Sequence, residues 1–90
     1  MEFEWDETKR HIVLEARGID FINARLLFDG RPVLTEPAFR TGEEHWLSIG
    51  QIEERMMAVV WTWREDRIRI ITMRRARDEE KRKYSTLYGG

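Results

Sequence analysis

The chain has no cysteine among its 90 residues, which removes disulfide scaffolds, thiolate zinc sites and cysteine nucleophiles together. Histidine is nearly as scarce: His11 and His45 lie far apart, and no H-x-x-x-H pair exists. No metal and no other cofactor is therefore expected. The only serines are Ser48 and Ser85, neither within G-x-S-x-G, so a serine triad is not expected. Neither G-x-x-x-x-G-K nor G-x-G-x-x-G is present, and a chain of this length is one domain without room for a nucleotide-binding half. No apolar run approaches the ~18 residues that cross a bilayer. The start Met1-Glu2-Phe3-Glu4-Trp5-Asp6 lacks the basic and apolar regions of a signal peptide. A single domain over residues 1–90, located in the cytoplasm and with no membrane partner, is the expectation.

What the chain has in abundance is charge, 37% of its residues against 41% hydrophobic. That is too apolar for disorder. The net charge of −1 conceals a gradient: Met1 to Trp63 carries 7 Lys/Arg against 12 Asp/Glu, whereas Arg64 to Gly90 carries 9 against 5. An anionic partner is therefore expected toward the C-terminal end. Arginine outnumbers lysine 13 to 3, and its planar fork suits phosphate, although pairing with the many carboxylates is an equally ready use.

The apolar pattern predicts an α+β domain of order β-α-α-β-β-β-β-α, its helices packed on one face of a mostly antiparallel sheet. Phe3 and Trp5 alternate with Glu2 and Glu4 as a first strand. Asp6 caps a helix begun by Glu7-Thr8-Lys9, with Ile12, Val13 and Ala16 as its apolar face and Gly18 as its stop. Asp20 caps a second helix, in which Phe21, Ala24 and Phe28 recur at helical spacing. Val33-Leu34-Thr35, His45 to Ile49, Met57 to Trp63 and Arg67 to Met73 read as strands, the last two joined by a tight hairpin. A final helix opens at Arg77 or Asp78, with Glu80, Tyr84 and Leu87 on one side. Simple alternation in the last strand places Arg67, Arg69, Ile71 and Met73 on one face and Ile68, Ile70, Thr72 and Arg74 on the other. Long basic side chains on such a strand suit a polyanion, and neighbouring aromatics suit unpaired bases.

Phe3-Glu4-Trp5-Asp6, Lys9, Arg17-Gly18-Ile19-Asp20-Phe21, Ala24 and Phe28-Asp29 resemble the opening of BrnT, the toxin family of the BrnT–BrnA toxin–antitoxin module. Gly42-Glu43-Glu44, Ile49-Gly50, Val59-Val60-Trp61-Thr62, Arg69-Ile70-Ile71-Thr72-Met73-Arg74-Arg75-Ala76 and Tyr84 continue the likeness in order. The resemblance implies a RelE-like ribonuclease fold. It also implies metal-independent RNA cleavage that inhibits translation, and capture by a BrnA-type antitoxin that alone contacts DNA, giving a hetero-oligomer. The chain departs from the family pattern at Val13, where Asn is common, at Ala16-Arg17, where Lys-His is common, and at His45, where Arg is common.

On this reading RNA is the substrate, and the reaction is attack of a 2′-hydroxyl on the adjacent phosphate. Arg69, Arg74, Lys9 and Arg17 are the phosphate-facing cations, and His45 or Glu43 is the base. Arg17 is a poor proton donor, because a guanidinium stays protonated. Arg67, Arg75 and Trp5 are candidates for further RNA contact, although Trp5 and Trp46 suit the core better than a base-stacking platform. The alternative is a catalytically impaired homologue that serves only as the protein partner of a DNA-binding antitoxin.

Overall fold

A computed structural model of the chain describes residues 1–38 and 44–89. Strand β1 (Glu2–Trp5) leads into helix α1 (Glu7–Arg17) and a 3-10 helix (Phe21–Phe28). Strands β2 (Val33–Pro37), β3 (Trp46–Ile52), β4 (Arg55–Arg64) and β5 (Arg67–Arg75) follow, then helix α2 (Asp78–Tyr88). The element order is the one the apolar pattern predicts. The strands form one sheet in the order β1-β5-β4-β3-β2. β2 to β5 are an antiparallel meander, and β1 adds in parallel along β5.

Local chemistry explains the boundaries. The Asp6 carboxylate accepts the Lys9 amide N–H at the start of α1, and Gly18 ends the helix with φ 69°, a left-handed conformation open to glycine at little cost. The Asp20 carboxylate likewise accepts the Ile22 N–H. The second helix is 3-10 rather than α. Phe21, Ala24 and Leu27 are its buried residues, and a period of three aligns positions three apart in one row. Gly50 of β3 lies beneath this row: a Cβ there would meet Leu27 Cδ2 at 2.8 Å.

The helices do not share one face. α1 and the 3-10 helix cover the side where Val13, Phe21, Leu27, Met57, Val59, Trp61, Ile68, Ile70 and Met73 form the main core. α2 lies on the opposite side, over a smaller cluster of Ile49, Ala58 and Ala76 with Leu34, Leu47, Met56 and Tyr84. Both faces of β3 and β4 carry apolar residues, so a helix on one side alone would leave the other wet. Ile12 and Leu87, expected on packed faces, are exposed.

Both tight turns hold a non-glycine residue in the left-handed region: Glu53 between β3 and β4, and Glu65 between β4 and β5, each at φ 59°. Such a conformation costs an ordinary L-residue about 1–2 kcal/mol, and asparagine tolerates it better. Glu65→Asn is therefore expected to stabilise the fold by about 0.5–1 kcal/mol, read as a higher denaturant midpoint. An unchanged or lower midpoint would show that the glutamate side chain offsets the strain.

Candidate active site

The arginine strand is not a plain alternating strand. Val60 pairs with Thr72 and Trp61 with Ile70, so Ile71 is passed over as a β-bulge. The extra residue resets the alternation. Ile68, Ile70 and Met73 all reach the main core, while Arg67, Arg69, Thr72 and Arg74 come to the other face beside Arg64, Thr62, Val60 and Ala58. The expected division of Arg69 from Arg74 is thus overturned, and Met73 does not share their face.

Within that face the arginines differ in how they are held. Arg74 is clasped by Glu80: Nη1 and Nη2 donate to Oε1 and Oε2 at 2.8 and 2.9 Å. The side chains are 21% and 8% exposed. Hydrogen bonding from Arg74 holds the Glu80 carboxyl below the usual carboxylate range despite burial, and the same bonds raise Arg74. Glu80 also accepts the Arg77 amide N–H at 2.8 Å, so the clasp fixes the start of α2. Both terminal nitrogens of Arg74 are therefore spent on a carboxylate.

Among the described residues Arg69 is held by one nitrogen, Nη1 to Glu4 Oε2 at 2.7 Å. Arg67 pairs with Glu2 at 3.1 Å and reaches Glu4 at 3.9 Å. Across the sheet Arg69 faces Glu4 on β1 and Thr62 on β4. The Thr62 hydroxyl donates to the Glu44 carbonyl at 2.7 Å. Continuing the β3–β4 register one step beyond Trp46–Trp61 sets His45 opposite Thr62. Alternation from Leu47 places it on the same face, buried at 7% exposure. Glu4, Arg69 and Thr62 thus make one row across three strands, and His45, the residue before β3, extends it by continuation of the register.

The remaining candidates are scattered around this row. Lys9 shares with Arg69 a depression of about 210 Å³, also lined by Asp6, Ile70 and Ile71, where β1 ends. Arg17 donates through Nη1 to the Met73 carbonyl at 3.1 Å. Arg75 is exposed and paired in register with Met57, on the α1 side of the sheet. Trp5 packs against the main core, and its indole N–H donates to Glu7 at 2.8 Å. Glu43 lies outside the described residues. Among the described residues no three His, Asp or Glu side chains are grouped as metal ligands would be, and no helix is long and apolar enough to cross a membrane.

Sequence reasoning missed Thr62 and Glu4. The second had a signal: Glu2-Phe3-Glu4-Trp5 and Arg67-Ile68-Arg69-Ile70 are charge-complementary alternations of equal period, as two paired strands would show.

This is a small α+β domain that presents guanidinium groups, a hydroxyl and an imidazole along one end of its sheet. The chain belongs to the BrnT family, the ribonuclease toxins of type II toxin–antitoxin systems, whose family model matches residues 5–80. No curated protein matches it significantly.

Proposed function

We propose that this protein cleaves RNA by attack of a ribose 2′-hydroxyl on the adjacent phosphate, at the Arg69 end of the sheet. The observation that supports this most is the pairing of Arg69 with Thr62 on one face, with buried His45 next in line where the β3–β4 register is continued, in a chain of the ribonuclease toxin family. The reaction requires a positioned phosphate, cations near its equatorial oxygens and a proton acceptor. Arg69 keeps Nε and Nη2 for the phosphate while Glu4 steadies Nη1. Arg67 and Lys9 lie on either side and Thr62 orients the scissile group; His45 takes the 2′-hydroxyl proton, and as the O2′–P bond forms the P–O5′ bond breaks, the departing 5′-oxygen being protonated by water. No resident metal enters the step. The protein acts in the cytoplasm, in a hetero-oligomer with a BrnA-type antitoxin, and meets DNA only through that partner.

One observation favours the impaired homologue instead. The position before Gly18 holds Arg17, and its guanidinium is turned to a backbone carbonyl. Induction of the chain alone separates the two readings. Growth arrest with fragmented transcripts, relieved by a BrnA-type antitoxin, is expected, as is cleavage in EDTA that leaves a 2′,3′-cyclic phosphate. Healthy cells with abundant folded protein and intact RNA would establish the non-enzymatic reading. A strict need for Mg²⁺ would replace the metal-free step by metal-assisted hydrolysis.

A further inference from the structure

The arginines that face the proposed cleavage row are largely neutralised: Arg67 by Glu2, Arg69 by Glu4 and Arg74 by Glu80. Arg64, beside Arg67 at the end of β4, forms no ion pair among the described residues, and a further uncompensated group lies elsewhere. Arg17, Arg55, Arg75 and Arg77 are all exposed, and none forms an ion pair among the described residues. They come from α1, β4, β5 and the cap of α2, yet the topology gathers them at one corner. Arg17, the last residue of α1, reaches the Met73 carbonyl of β5. Two residues on, Arg75 pairs in register with Met57, and Arg55 precedes Met57 by two on the same face of β4. The Ala76 N–H donates to the Met56 carbonyl at 2.9 Å, which carries the register on and sets Arg77 opposite Arg55. Glu53 and Glu54, in the adjoining turn, pair with none of the four.

This corner is connected to the cleavage row. β1 stops where Trp5 pairs with Ile70, so beyond that point no strand pairs with the outer edge of β5 among the described residues. Three cations mark that edge in sequence: Arg69 and Lys9 at the depression where β1 ends, then Arg17 at Met73. From Arg69 to Arg75 is about 20 Å at strand rise, a distance that an extended polyanion spans and a single phosphate does not.

We infer that the Arg17–Arg55–Arg75–Arg77 corner binds the backbone of the RNA flanking the cut, which is led there along the outer edge of β5. The inference rests on the ribonuclease reading and adds a second, sequence-independent contact to it. All four cations are arginines, whose fork takes two phosphate oxygens at once. None of the four has a carboxylate within ion-pair distance among the described residues, an arrangement that a polyanion complements.

The test is equilibrium binding of labelled RNA carrying 2′-O-methyl groups throughout, so that nothing is cleaved. A short probe of about 4 nucleotides and a long one of about 16 are compared. Arg55→Ala/Arg77→Ala is expected to weaken the long probe and leave the short one unchanged. Removing one arginine–phosphate pairing lowers the steepness of log K against log salt by about 0.7, and removing both lowers it by about 1.4. Arg25→Ala/Arg82→Ala, which removes the same charge elsewhere, is expected to change neither slope. Matching circular dichroism melts show that the variants are folded. Unchanged binding of the long probe by Arg55→Ala/Arg77→Ala overturns the inference while leaving the ribonuclease reading intact. So does a loss confined to antitoxin binding, which would make the corner a protein interface. A wild-type chain that binds the long probe through this corner but never cleaves RNA would sink the ribonuclease reading alone.

Discussion

Arg69→Ala is expected to reduce RNA cleavage by about 10²–10³-fold while the domain stays folded. The size follows from removing one charged donor aimed at developing negative charge. The choice of Arg69 over Arg74 follows from their bonding. Arg74 gives both terminal nitrogens to Glu80, whereas among the described residues Arg69 gives one nitrogen to Glu4 and keeps Nε and Nη2. Arg69→Lys keeps the charge but not the fork, and is expected to recover only part of the rate. The loss is expected mainly in kcat, because further negative charge develops on the phosphate during the reaction, with a smaller loss of RNA affinity, since the phosphate is already an anion before it. Single-turnover cleavage with matched thermal melts measures both quantities. A folded Arg69→Ala protein with full activity would remove Arg69 from the chemistry and move the site off this row.

The largest stability effect is expected at Glu80. Its carboxylate, 8% exposed, accepts from both terminal nitrogens of Arg74 and from the Arg77 N–H. Glu80→Ala would leave the Arg74 guanidinium without its partner and the first turn of α2 without its anchor. Breaking a buried pair from one side costs about 3–5 kcal/mol, and the partial exposure of Arg74 brings this nearer to 2–4. Urea denaturation gives the figure, and a loss below about 1 kcal/mol would show that α2 is fixed mainly by its tyrosines. Those bonds exist: Tyr88 donates to the Val33 carbonyl at 2.6 Å and Tyr84 to that of Pro32 at 3.4 Å.

Acid probes the same clasp. Glu80 titrates below its ordinary range because Arg74 favours the charged form, so its contribution is complete above the unfolded-state value. It is lost as pH falls through the lower folded-state value. Asp20 and Glu7 act in the same sense. Arg10 bonds to both and is the main cause for Asp20, while the Trp5 indole N–H leads for Glu7. Melting temperatures are therefore expected to hold between pH 7 and 5 and to drop below about pH 4. In Glu80→Gln the drop should be shallower, since one of the responsible groups no longer titrates.

The sheet was readable in the sequence because its strands are long, β-branched and punctuated by turns. The α1 boundaries were readable because Asp6 and Gly18 are strong local signals. What alternation misassigned was β5. The correct face depends on one unpaired residue, and a bulge is a relation between two strands rather than a property of one. A trace of it is nonetheless present: Ile68, Ile70 and Met73 are spaced two and then three apart, with polar Thr72 where strict alternation expects an apolar residue. The 3-10 helix failed for a similar reason, since Leu27 and Phe28 are both apolar and either period fits until one sees which is buried. The site was less legible still. The arginines were visible as a group, but whether each is neutralised depends on Glu2, Glu4 and Glu80, which the fold and not the local pattern brings to them.

β5, the last strand of the chain, lies inside the sheet between β4 and β1 rather than at its rim. The first strand thus has no neighbour until the last is made, and the Glu4–Arg69 bond joins residues 65 positions apart. Contacts so distant in sequence close late in folding. A ribosome elongating this chain therefore carries the acidic strand for most of the synthesis without its cationic partner, and a product broken off before Arg69 has neither the row across the sheet nor the edge that leads from it. For a chain of a ribonuclease toxin family the consequence is temporal: the row across the sheet, where cleavage is proposed, comes into being only after β5 has been translated.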